Sequence, residues 1–146
     1  MSKRAESAAA HIASRKMNCA QSVLTAFSEE LGLNLPLARK IALGFGGGMG
    51  RTGKTCGAVT GAYMVLGLKQ DLNAGNAQQV KDRTYALVRE FNQKFMAVHG
   101  SLACKDILGC DLGTPEGSAL AKEKDLFTTL CPGFVKSAVE ILEKMS

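Results

Sequence analysis

Asn76-Ala-Gln-Gln79-Val80-Lys-Asp-Arg-Thr-Tyr-Ala-Leu87-Val-Arg-Glu-Phe91-Asn-Gln-Lys-Phe95-Met-Ala-Val98-His99-Gly100 carries a complete helix signature. Asn76 and Gln79 form a capping-box pair, in which each side chain can satisfy the other residue's backbone N–H. Val80, Leu87, Phe91, Phe95 and Val98 then recur at helical spacing and predict one apolar stripe. His99-Gly100 closes the segment with a cation-capable side chain and a C-cap glycine.

The same grammar extends outward on both sides. Upstream, Asn18 and Gln21 repeat the capping pattern, and Cys19, Val23, Phe27 and Leu31 follow at four-residue steps to a stop near Gly32. Pro36 reads as a first helical residue, with turns running to about Phe45. A glycine-rich loop, Gly44 to Gly53, comes next. Thr55 is the predicted cap of a helix from Cys56 to Leu68, with Cys56, Val59, Tyr63 and Leu66 on one face. Gly57 and Gly61 lie one turn apart there, which permits close approach of another backbone. Downstream, Ser101 is the predicted cap of a short helix through Leu108, and Thr114-Pro115 opens one running to about Leu130. Cys131-Pro132 opens the last, with Val135, Ala138, Val139 and Leu142 on its core face. No segment alternates with period two. The reading is all-α: one helical-bundle domain over residues 1–146, of about five to seven helices. Residues 1–16 read either as a loose N-terminal extension or as a first helix.

At 146 residues the chain has the length of one domain, and 46% apolar residues suit a packed globule. No run approaches the roughly 18 apolar residues of a membrane span. The N-terminus resembles neither a signal peptide nor an anchor, so a cytoplasmic protein without membrane attachment is expected. The net charge of +5 is unevenly placed. From Leu31 to Gln70 there is no Asp or Glu, while Arg39, Lys40, Arg51, Lys54 and Lys69 lie there; that stretch carries the entire excess. Nucleic-acid surfaces show denser basic clusters interleaved with aromatics. A positive field around an anion or around thiolates fits better, and no nucleic-acid partner is expected. His11 and His99 read as surface or helix-end residues, and Phe91 and Phe95 as core.

Two motifs could carry chemistry. Gly48-Met-Gly-Arg-Thr-Gly53-Lys54-Thr55 satisfies the phosphate-loop pattern in full. That chemistry requires a buried strand before the loop and a later acidic metal partner, and neither is evident; nucleotide or phosphate binding is the alternative reading. The second motif is the set Cys19, Cys56, Cys104, Cys110 and Cys131. There is no C-x-x-C. Four of the five fall in or at the first turn of a predicted helix, where free N–H groups and the helix dipole favour thiolate. Cys110, after Gly109, follows a helix end and is the exception. A structural bundle with inert buried cysteines is the bland alternative.

Asn18-Cys19-Ala-Gln-Ser-Val, Thr55-Cys56-Gly57-Ala58-Val-Thr-Gly61-Ala, His99-Gly-Ser-Leu-Ala-Cys104-Lys-Asp-Ile-Leu-Gly and Cys131-Pro132-Gly-Phe-Val together resemble the redox-active family named C_GCAxxG_C_C. The resemblance runs from about residue 17 to 143. Thr55 stands where the family's name has a glycine before the central cysteine. The family in turn resembles part of an iron–sulfur split-Soret cytochrome. The resemblance implies redox-active thiols at Cys19, Cys56, Cys104 and Cys131, which would also be the ligands of an iron–sulfur cluster or a single metal ion. Gly47, Gly48 and Gly57 would bring backbone close to that site. An electron-transfer or oxidoreductase protein is the implied partner, and the oligomeric state, including a homodimer, stays open.

Overall fold

Side-chain caps start five of the helices. In the computed structural model, which describes residues 2–145, the Ser2 hydroxyl accepts from the Ala5 N–H and opens α1 (Lys3–Ala13). Asn18 and Gln21 close the full capping box of α2 (Cys19–Ser28), with both bonds at 2.9 Å. Asn34 caps α3 (Leu35–Ala42), in which Pro36 is the second residue. The capping box of Asn76 and Gln79 starts α6 (Ala77–His99), and left-handed Gly100 ends it. Thr114 caps α8 (Pro115–Glu123). α10 (Cys131–Lys144) is the last helix. Among the described residues the extended backbone amounts to one isolated bridge, Thr55 to Ala103.

Three short turns complete the element order: α4 (Gly46–Met49), α7 (Cys104–Leu108) and α9 (Leu126–Thr129). Two helix starts differ from the sequence reading. α5 (Gly57–Leu68) has Cys56 itself as N-cap instead of Thr55, and α7 has Ala103 instead of Ser101. Both segments are held by a long-range pairing described below, which supersedes a local cap. Nor does the helix opened at Thr114 continue to Leu130. It stops at Glu123, and Asp125 at φ +52 breaks the path before α9.

α5 is apolar all round and buried over most of its length, so it forms the centre. α2, α6 and α10 pack against it, and α1 lies along α2 and α10 through Ala5, Ala8 and Ile12. Phe91 and Phe95 stack in the core at 5.8 Å. Burying each such ring contributes about 1.5–3 kcal/mol. Val98, placed on that stripe by spacing, is instead 63% exposed. The last turn of α6 presents His99 to the core, against the rings of Phe95 and Phe134, with Nε2 2.9 Å from the Ser137 hydroxyl. Burial lowers the pKa of His99. No helix of the described residues is long and apolar enough to cross a membrane.

The tightest helix contact is α2 on α5. A Cβ on Gly61 would lie 2.8 Å from the Ala20 carbonyl oxygen, closer than real Cβ atoms come, whereas one on Gly67 of the same helix would meet open space. Gly61→Leu should therefore destabilise by about 1–3 kcal/mol through overpacking. Gly67→Ala should stabilise by about 0.5–1 kcal/mol through helix propensity. Urea unfolding of the two variants beside the parent checks the opposite signs.

Candidate functional site

Close approach at glycine also builds the site. A Cβ on Gly57 would stand 2.9 Å from the Ala20 nitrogen and 3.1 Å from the Cys19 Cβ. The first turns of α2 and α5 therefore abut, and Cys19 meets Cys56 across them. Cys104, 48 positions further on, is brought in by a short backbone ladder around the Thr55–Ala103 bridge. The Cys56 N–H donates to the Leu102 carbonyl at 2.8 Å, and the Cys104 N–H donates to that of Lys54 at 2.6 Å. Cys131 enters as the first residue of α10, which packs on both α2 and α5.

All four of these cysteines are buried and line one open cavity of about 510 Å³. Gly47, Gly48 and Gly57 line it too. Gly48 is obligatory at its position: at φ +71, a Cβ there would lie 2.6 Å from the Cys104 Cβ. It belongs to a left-handed turn in which Gly47, Gly48, Met49, Gly50 and Arg51 all hold φ between +62 and +71. Cys110 is buried but does not line the cavity.

The phosphate-loop match folds into this same turn, after α3 and a short 3-10 turn rather than after a strand. The N–H groups of Arg51, Gly53 and Lys54 donate to the carbonyls of Gly46, Gly47 and Gly48 at 3.0, 3.2 and 2.9 Å. Those donors are spent inside the loop and do not form a cradle for phosphate oxygens.

The cavity is cationic. Arg15, Lys16 and Arg51 line it, and no acidic residue does. Only Arg51 comes from the acid-free stretch picked out in the sequence. Arg15 and Lys16, in the link between α1 and α2, were visible there only as two adjacent basic residues.

The thiols are not equivalent. Cys19 is pushed well above the ordinary thiol range, first because its S–H is donated to Cys131 and Cys56, then by burial and by the charges of those two neighbours. Cys56 is lowered. The bond received from Cys19 is the main cause, helped by the N–H groups of Ala58 and Val59 in the first turn of α5 and opposed by burial. Cys104 is pushed up to about 12 by burial, then by Cys56, Cys131, Cys110 and Asp111. The Cys19 S–H thus does most to lower Cys56, and the first-turn amides of α5 that reach the sulfur add to it. At Cys19 and Cys104, burial and neighbouring sulfurs outweigh the dipole and correct the expectation of four acidic thiols. Cys110 is raised by burial, then by Asp111 and Cys131, against Lys124.

Four thiols are the soft donor set that iron–sulfur clusters and zinc take. Among the described residues, however, no three Cys, His, Asp or Glu side chains are placed to hold one metal ion.

With this geometry in place, comparison with known proteins gives the class. Residues 17–145 match the family described as "Putative redox-active protein (C_GCAxxG_C_C)", and the chain belongs to that family. An uncharacterized protein of Archaeoglobus fulgidus is 30% identical over 97 residues, covering 62% of this chain and 64% of that protein. The match thus spans less than two thirds of that relative's length. No solved structure matches the chain.

The ranking of acidities predicts the order of alkylation. Near neutral pH, iodoacetamide should label Cys56 before Cys19 and Cys104, with Cys104 still largely unmodified when Cys56 is complete; peptide mass spectrometry reads the order. The shift at Cys104 also has a sign for stability. Between about 9, the ordinary thiol value, and about 12, the unfolded chain loses this proton while the folded chain keeps it. Stability should therefore fall as pH rises through that window. A melting temperature that rises from pH 9 to 11 would contradict it.

Proposed function

We propose that the protein carries electrons on a dithiol/disulfide couple formed by Cys19 and Cys56. The observation behind this reading is the contact across the α2–α5 crossing: a thiol held protonated beside one with a lowered pKa. Cys56 is the attacking sulfur and Cys19 the resolving one. In the reduced state both are thiols. Oxidation forms one S–S bond and releases two electrons and two protons, and an electron-transfer or oxidoreductase protein returns them. Cys131, which also receives the Cys19 hydrogen bond, is the second acceptor within reach.

An iron–sulfur cluster is the second reading, favoured by four cysteines lining one cavity. A [2Fe–2S] cluster takes one pair of thiolates on each iron, so it does not require three sulfurs to converge on a point. Cys19, Cys56, Cys104 and Cys131 would be its ligands, and it would supply one-electron transfer.

Single Cys→Ser variants of all five cysteines, purified without air, separate these readings by absorbance, metal content and redox titration. The dithiol reading expects metal-free protein and a two-electron couple that Cys19→Ser or Cys56→Ser abolishes. Cys110→Ser should leave the couple, with a midpoint shift under about 30 mV, roughly tenfold in the exchange equilibrium. Stoichiometric iron and sulfide, lost together on replacing any of the four, would replace the dithiol by the cluster. Wild-type behaviour in all five variants would leave the cysteines inert.

A further inference from the structure

We propose that the cavity is a binding site for a small carboxylate-bearing disulfide, drawn in by Arg15, Lys16 and Arg51 and reduced by Cys19 and Cys56. This substrate class rests on the dithiol reading above and deepens it.

The charge is the first support. Arg15, Lys16 and Arg51 line the cavity without an acidic counterpart, and the ion pairs of the described residues, Arg4 with Glu30 and Glu143 and Lys94 with Glu90, use none of them. Three cations without an ion-pair partner among the described residues, lining the same cavity as the sulfurs, attract an anion and offset the repulsion a thiolate would exert on it. The Arg15 guanidinium lies 4.7 Å from the centre of the Phe127 ring, which also lines the cavity, and is thereby held at the wall. Both arginines keep a left-handed backbone, φ +65 at Arg15 and +62 at Arg51.

Size and access are the second support. The four cysteines that line the space of about 510 Å³ are only 3–8% exposed. That volume is in the range of small-molecule sites. Ile12, Leu112, Phe127 and Phe134 supply apolar wall for the methylene and sulfur atoms between the carboxylates.

The third support is chemical. A disulfide is reduced by two adjacent thiols with no further reagent. The Cys56 sulfur attacks one substrate sulfur, the substrate S–S bond breaks, and the departing sulfur leaves as a thiol with the Cys56 proton. The Cys19 sulfur then attacks Cys56, the mixed disulfide breaks, and the second substrate sulfur leaves with the Cys19 proton. Two thiols and one disulfide become one protein disulfide and two small thiols; two electrons have passed to the substrate.

The test mixes the reduced protein, without air, with three disulfides: oxidised glutathione (anionic), cystamine (cationic) and hydroxyethyl disulfide (neutral). Each rate is divided by that of the same disulfide with free dithiothreitol, which removes intrinsic reactivity. Oxidised glutathione should exceed cystamine by about tenfold or more at low ionic strength. High salt should shrink that ratio, and so should Lys16→Gln and Arg51→Gln, to about threefold or less. The salt arm needs no variant and stands even if a substitution perturbs the fold. A ratio near one, or a ratio that survives both salt and substitution, overturns the substrate class. If hydroxyethyl disulfide joins Cys19 to Cys56 but no anion preference appears, only the substrate class fails. If none of the three disulfides joins them, the dithiol reading fails and takes the substrate with it.

Discussion

The crossing of α2 on α5 is the constraint on which the rest depends. Gly57 and Gly61 let the Ala20 backbone come so near that no side chain fits between. Any larger residue would push apart the two helix starts that carry Cys19 and Cys56. The same crossing seats α10 against both helices and with it Cys131. The central helix needs no polar face because most of its length is buried, so its start can serve the site while its body serves the core.

The pairing of residues 53–56 with 102–105 adds the third side of the cavity. It works through backbone, beside a glycine-rich turn that is left-handed and bonded to itself. Gly48 lies against both Cys104 and the Lys54 nitrogen, so turn and ladder are one unit. The charge environment follows from this placement. Cys56 has amides directed at its sulfur and a neighbour's S–H beside it, whereas Cys19 and Cys104 have mainly burial and other sulfurs. Helix position alone does not set a thiol's acidity; the number of donors that reach the sulfur does.

Asn18, Asn76 and Thr114 were legible as helix starts because a cap bonds only three residues ahead, within the same stretch of sequence. The all-α class and the family resemblance followed from such local signals. Thr55 and Ser101 were misread as caps because the partner that fixes each segment lies about 48 residues away. The break at Asp125 and the exposure of Val98 depend on neighbouring elements in the same way. Within the site, the four cysteines were legible by their positions at helix starts, and so was the close approach at Gly57 and Gly61. The unequal acidity of the thiols was not, because burial and sulfur–sulfur contacts exist only in the folded chain. Arg15 and Lys16 were not legible either, since nothing in their sequence surroundings places them in the cavity that the cysteines line.

The central claim is that Cys19 and Cys56 are the pair that exchanges electrons. Disulfide mapping by peptide mass spectrometry, on protein oxidised mildly and trapped at low pH, tests it most directly. A Cys19–Cys56 bond should be the first species formed. Cys19 remaining free while another bond accumulates, such as Cys104 to Cys110, would contradict it.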